Sequence, residues 1–211
     1  MVAEKYTQAF SLQASLKHYY SIHSLFYDLS RPLFLFERER AARRIRVPEG
    51  GTVMEVGCGT GFNLDTLVQA AGPSGHVIAL DLSPSMLAVA RRKAGRRKWL
   101  TLSLVEGDAA DFTPARKADA ILFSYSLSMI GNWKKALDKC LCSLREGGQL
   151  VVLDFYRWEV LRSLYPLWEK WLSLNHVHIP EEPLRYLMER AGSSCLSIYR
   201  KGYNCILEAT L

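Results

Sequence analysis

The chain has 211 residues, 49% of them hydrophobic and 23% charged, the balance of one globular domain rather than of a disordered or fibrous chain. No apolar run approaches the roughly 20 residues needed to cross a bilayer, and Met1 to Phe10 lack the charged-then-apolar layout of a signal peptide; a single cytoplasmic domain is expected. Lys and Arg (27) exceed Asp and Glu (21), a formal charge of +6, which favours an anionic partner without choosing among nucleic acid, membrane and acidic small molecule.

At the N-terminus, Leu12, Leu16, Tyr19, Tyr20, His23, Phe26 and Tyr27 recur at helical spacing. Leu33-Phe34-Leu35-Phe36 follows, and then Arg38, Arg40, Arg43, Arg44 and Arg46. Residues 1–48 read either as a helical cap with a solvated arginine face or as an amphipathic surface resting on anionic lipid.

From Thr52 onward, short apolar runs alternate with amphipathic stretches, the pattern of an α/β sheet with crossover helices. Strands are expected at Thr52–Val56, His76–Asp81, Leu102–Glu106, Ala118–Ser124 and Gln149–Phe155, each rich in the residues of a strand covered on both faces. Helices are expected at Asn63–Ala71, at Pro84–Arg92 with Ser83 as N-cap and Pro84 in the first turn, and at Trp133–Leu144, ending at Gly147-Gly148. A cationic cluster, Arg91-Arg92-Lys93 and Arg96-Arg97-Lys98, should lie at the far end of the second of these helices. Cations suit a helix C-terminus, and that reading is preferred to an RNA-binding patch, so no nucleic acid is expected.

The insertion Tyr156–Pro180 carries Leu161, Leu164, Tyr165, Trp168, Trp171 and Leu172 as a helical stripe interrupted at Pro166. Its aromatics, Trp158 among them, suit a membrane boundary, a lid or a contact with a second copy. Pro183–Ala191 reads as a helix, and Cys195–Arg200 and Tyr203–Thr210 as antiparallel strands joined at Lys201-Gly202. The expected architecture is α/β: five parallel strands closed by a C-terminal hairpin, with helices on both faces. Residues 52–155 would form the core, 156–182 a covering insertion and 183–211 the closing helix and hairpin. Cys58, Cys140, Cys142, Cys195 and Cys205 are scattered, with no C-x-x-C and no His cluster, so reduced thiols and no metal are expected.

The strongest chemical signal is Val53-Met54-Glu55-Val56-Gly57-Cys58-Gly59-Thr60-Gly61-Phe62. A buried strand runs into glycines at alternate positions and then into a helix, whose first N–H groups face a ligand. A dinucleotide-binding G-x-G-x-x-G would place its third glycine where Phe62 stands. That departure favours a ligand without a pyrophosphate. Asp81 ends the next strand, near the spacing of roughly 20 residues at which an acid takes ribose hydroxyls; strand ends also carry Asp for turn reasons. Glu106-Gly107-Asp108-Ala109 closes the third strand and reads equally as an adenine contact or a turn.

Glu55 to Gly61, Asp81-Leu82-Ser83-Pro84-Ser85-Met86-Leu87 and Glu106 to Ala109 together resemble the successive cofactor motifs of class I S-adenosylmethionine-dependent methyltransferases. The resemblance spans Thr52–Phe155 and implies a Rossmann-like, seven-stranded, mostly parallel sheet. It implies cofactor contacts from Glu55, Gly57, Cys58, Gly59, Gly61 and Asn63 to the methionine portion, from Asp81 and Leu82 to the ribose, and from Met86, Gly107, Asp108 and Ala109 to the adenine. Ser124 would border the methyl group. Phe26-Tyr27-Asp28, the Arg31 to Arg46 stretch and Leu174-Asn175-His176-Val177 resemble the small bacterial lipid-headgroup N-methyltransferases, those acting on phosphatidylethanolamine or diacylglyceryl-homoserine. Ubiquinone and menaquinone C-methyltransferases share the same core and are the rival. A soluble small molecule as acceptor, or a non-catalytic binding module, are further alternatives. On the lipid reading, the chain is peripheral on the inner membrane face. Tyr27 and Tyr125 offer aromatic faces to a methylated ammonium, and His176 or His178 takes its proton.

Overall fold

A computed structural model of the chain describes residues 34–157, 170, 172 and 177–211. Five helices and seven strands appear there: α1 (Arg38–Ala42), β1 (Thr52–Val56), α2 (Leu64–Ala71), β2 (His76–Asp81), α3 (Pro84–Arg97), β3 (Leu102–Glu106), β4 (Ala118–Ser124), α4 (Trp133–Ser143), β5 (Leu144–Phe155), α5 (Glu181–Met188), β6 (Ser193–Tyr199) and β7 (Asn204–Thr210). The predicted N-terminal helices and the Trp158–Trp171 stripe lie outside the described residues, as do Tyr27 and His176.

The strands form one seven-stranded sheet in the order β3-β2-β1-β4-β5-β7-β6. β1 to β5 pair in parallel, and β7 enters antiparallel between β5 and β6. The α/β architecture expected from the alternating pattern is therefore present, with the terminal hairpin completing the sheet. Alternate residues of each central strand face opposite layers. Val53, Val77, Leu122 and Val151 pack against α1, α2 and α3. Met54, Ile78, Phe123 and Val152 pack against α4 and α5. Both faces being covered is why these strands read as continuous apolar runs.

Element ends differ from expectation in instructive ways. α3 begins as expected, with the Ser83 hydroxyl accepting the Met86 N–H at 3.4 Å and Pro84 in the first turn. It continues five residues past Arg92, through Gly95, to Arg97. The cost of an interior glycine, about 1 kcal/mol, is offset in part by cations at the carbonyl end of the helix dipole. Lys98 then turns left-handed (φ 54°) and its N–H closes the helix on Ala94 and Gly95. β5 starts at Leu144, directly after α4, because a register shift against β4 between Ala118 and Ala120 absorbs the Gly147-Gly148 bend. A turn at Arg200–Gly202 joins β6 to β7, with Lys201 at φ 53°.

The arginines near α1 have protein partners. Arg40 pairs with Glu37 at 3.0 Å and Arg43 with Glu39 at 2.6 Å. Arg44 reaches across to Glu208 at 2.5 Å and to the Tyr199 hydroxyl, clasping α1 to β6 and β7. This part of the basic stretch caps the sheet. Among the described residues, no helix is long and apolar enough to cross a membrane.

Candidate functional site

The chain leaves β1, builds β2 and β3 on one side, and returns to β4 on the other. The crevice beyond the carboxyl ends of β1 and β4 is therefore the topological switch point, where open α/β sheets bind ligands. Parallel register sets Asp81 beside Glu106 and Val56 beside Phe123, so the motif-bearing strand ends share one edge.

The glycine loop fills the centre of that edge. Gly57 has φ 73°, and a Cβ there would stand 2.4 Å from Cβ of Ser126, whose hydroxyl donates to the Val56 carbonyl at 2.6 Å. Only glycine passes so close. The Gly57 and Cys58 N–H groups both donate to the Leu80 carbonyl, at 2.8 and 3.0 Å, locking the loop to β2. Gly59 (φ 54°) has open space where its side chain would be, the room a ligand needs to lie against the backbone.

Two carboxylates organise the loop. Asp81 accepts the Gly59 N–H at 2.7 Å and the Ser83 N–H at 2.8 Å, so it stitches the end of β2 to the glycine turn. Burial raises its pKa, and the backbone donors pull against that. The turn role and the ribose role are compatible, because a carboxylate has about four lone-pair sites. Glu55, only 1% exposed, accepts the Asn63 side-chain N–H at 2.7 Å on one oxygen. Among the described residues, its other oxygen, Oε2, and the Asn63 Oδ1 are buried without a donor. Desolvation pushes the Glu55 pKa up to about 8, opposed by Asn63 and by the Arg38 charge.

Arg38 is the residue that sequence reasoning missed. It is 8% exposed, its guanidinium lies 3.8 Å from the Phe62 ring centroid, and its charge is felt at Glu55. Nothing in a run of five arginines marks one as buried; the exposed Phe62 beside the loop was the only local hint. Lys93 is a correction. It leaves the remote cationic cluster and donates to the Gly61 carbonyl at 2.7 Å, because a helical side chain leans toward the N-terminal turn.

The other candidates divide. Leu82, Gly107 and Ala109 border the same edge, with the Gly107 N–H donating to the Asp81 carbonyl at 3.0 Å. Asp108 accepts the Ala110 N–H at 2.8 Å and shapes the following turn. The Met86 side chain is 2% exposed and lies in the interior. Cys58 is buried, which raises its thiol pKa. Ser124 ends β4 with a buried hydroxyl oxygen that has no partner among the described residues. Tyr125 (φ 55°) is 6% exposed. Its hydroxyl donates to the Phe36 carbonyl at 2.9 Å and accepts from Asn204 at 2.7 Å. Burial raises its pKa well above the ordinary range, so this hydroxyl is held as architecture. His178 is exposed, and its backbone N–H donates to the Ser128 carbonyl at 2.9 Å, just past the end of β4.

Two buried acceptors lacking donors, beside a buried guanidinium, fit a zwitterionic amino acid: an ammonium for the acceptors and a carboxylate for the arginine. S-adenosylmethionine carries that group joined to a ribose, and Asp81 at the same edge keeps lone pairs beyond those used by Gly59 and Ser83. The residues present fit this cofactor.

Residues 53–148 match the methyltransferase domain family. A demethylmenaquinone methyltransferase of Geobacillus sp. is 30% identical over 139 residues, covering 65% of this chain and 58% of the relative. The chain thus spans less than two thirds of that relative's length. Among solved structures, a SAM-dependent methyltransferase from Aquifex aeolicus superimposes with a TM-score of 0.66 at 21% identity, covering 86% of this chain and 93% of the other. DhpI in complex with SAH superimposes with a TM-score of 0.69 at 22% identity, covering 94% and 97%. The chain has the Rossmann-like fold of S-adenosylmethionine-dependent methyltransferases, and its glycine loop and Asp81 lie within a segment that matches the methyltransferase domain family.

Proposed function

We propose that this protein is an S-adenosylmethionine-dependent methyltransferase whose acceptor is a quinone-type aromatic ring. The observation that carries the cofactor half is the pair of donorless buried acceptors, Glu55 Oε2 and Asn63 Oδ1, at the switch point. An α-ammonium satisfies both, Arg38 answers the α-carboxylate, and Asp81 accepts the ribose hydroxyls on its remaining lone pairs. The cofactor supplies an electrophilic methyl on a sulfonium. The chain's own part is to hold that methyl in line with the acceptor and to keep water out.

The acceptor half is supported by the Geobacillus relative's name. A ring carbon becomes nucleophilic once a neighbouring ring hydroxyl loses its proton, so a base is needed on the acceptor side. His178 is exposed beyond β4 with its backbone anchored, and it is the described candidate for that base. Aminolipid N-methylation is the second reading; it rests on the resemblance carried by the chain's ends, and a neutral amine attacks without a strong base.

The test offers the purified chain radiolabelled S-adenosylmethionine with a demethylated quinone held chemically reduced as its quinol, total polar lipid and a soluble metabolite extract. Label in the quinone is expected. Label in an aminolipid headgroup would replace the quinone with the second reading, and label only in the soluble extract would remove both. A chain that neither binds the cofactor nor transfers its methyl would overturn the enzyme reading.

A further inference from the structure

The basic cluster of α3 has a setting that the helix dipole does not explain. Arg91, Ala94 and Gly95 of α3, with the C-cap Lys98, line a groove of about 580 Å³ closed on its other side by Leu102 and Leu104 of β3. β3 is the outermost strand on that side of the sheet, so the groove runs along the flank of the molecule. Its floor is aliphatic and its walls carry Arg91 and Lys98, with exposed Arg92 one step further round the helix. No acid pairs with these three cations among the described residues, whereas Arg97 is joined to Asp65 at 3.2 Å. At the mouth stands Leu100, 94% exposed, directly after the half-buried Trp99.

A single exposed leucine is ordinary. An aliphatic side chain fully in water, an indole at the water boundary, an apolar groove and unpaired cations on one flank together are not. We propose that this flank docks on an anionic lipid bilayer, with Leu100 entering the acyl layer and Arg91, Arg92 and Lys98 among the headgroups. Charge complementarity selects the anionic surface, and the kind of apolar group selects lipid over nucleic acid. Bases stack on open aromatic faces, but Lys93 lies over the Trp99 ring at 5.9 Å and the ring packs on the core, leaving an aliphatic side chain as the protruding group. Docking by the flank leaves the carboxyl edge of the sheet uncovered, so the cofactor crevice stays open.

The experiment is co-sedimentation of the full chain with phosphatidylcholine vesicles, with and without phosphatidylglycerol, at low and moderate salt. Binding is expected only with phosphatidylglycerol and should weaken with salt. The triple variant R91E/R92E/K98E should lose on the order of 100-fold in apparent affinity, and Leu100→Ser about tenfold. These side chains are exposed, and a single cooperative melting transition in each variant would confirm intact folding. The proposal is overturned if anionic vesicles are not bound or if both variants bind as the parent does. It is also overturned if a short RNA duplex is bound in preference to the vesicles. No methyl transfer is measured, so the result stands apart from the identity of the acceptor.

Discussion

Glu55 and Asp154 are two buried acids near the carboxyl ends of parallel strands, on either side of β4, and their hydrogen-bond accounts are opposite. Asp154, 0% exposed at the end of β5, accepts the Ser128 N–H on one oxygen and the Phe155 N–H on the other, each at 2.9 Å. Glu55 has one oxygen on Asn63 and, among the described residues, no partner on the other. Burial raises both acids, Asp154 to about 6 and Glu55 to about 8. The acid with two backbone donors is raised less and holds the Leu127–Met129 turn. The acid with a vacant acceptor is held at a cost that a ligand would remove. Burial alone does not mark a site; two neighbouring buried acceptors without a partner at the switch point of the sheet do.

Asp81→Ala should break the cofactor end most completely. It removes the proposed ribose acceptor and frees the Gly59 N–H, and S-adenosylhomocysteine affinity should fall by about 100-fold or more in a calorimetric titration. Glu55→Gln sharpens the contrast, because it should weaken the ligand by about 10- to 100-fold while stabilising the unliganded protein. The sign follows from the raised pKa. Stability associated with protonated Glu55 is full below about pH 4.5 and is lost as pH rises toward about 8. Thermal unfolding at pH 8 should therefore favour Glu55→Gln by a few kcal/mol, and the difference should vanish in acid. Asp154→Asn should differ. One backbone N–H loses its acceptor, which offsets relief of a buried charge whose pKa is raised only to about 6. Stability at pH 8 should therefore change by less than about 2 kcal/mol, and ligand affinity should stay within a factor of about two. Tyr125→Phe should be smallest. It removes the hydroxyl shared by Phe36 and Asn204, and denaturant titration should show a loss of about 1 kcal/mol with the ligand bound as before.

The sheet was legible because covered strands are apolar on both faces, and the bounds of β1 to β4 follow directly from those runs. The glycine loop and Asp81 were legible because close backbone approach admits few residue types. The insertion of β7 between β5 and β6 was not spelled out by local pattern, since a hairpin's own sequence does not say which strand docks on the sheet. Arg38 could not be separated from Arg40 or Arg43, which pair with Glu37 and Glu39 at the surface, because burial is decided by where α1 packs. Asp154 did carry a signal of the kind that exposes Glu55, a lone acid inside an apolar strand. Lys93 was assigned by sequence block, whereas the helix turns it back toward the loop.

The central claim is that Glu55 and Asn63 receive the cofactor's ammonium. Calorimetric titration of S-adenosylhomocysteine at pH 6.5, repeated in buffers of different ionisation enthalpy, tests it directly. Glu55 is mostly protonated there, given a pKa of about 8, so ionising it against a bound ammonium should release about one proton. The account predicts that release in the parent and its disappearance in Glu55→Gln, together with weaker binding. Absence of binding, or binding with no proton release and no change in Glu55→Gln, would contradict it.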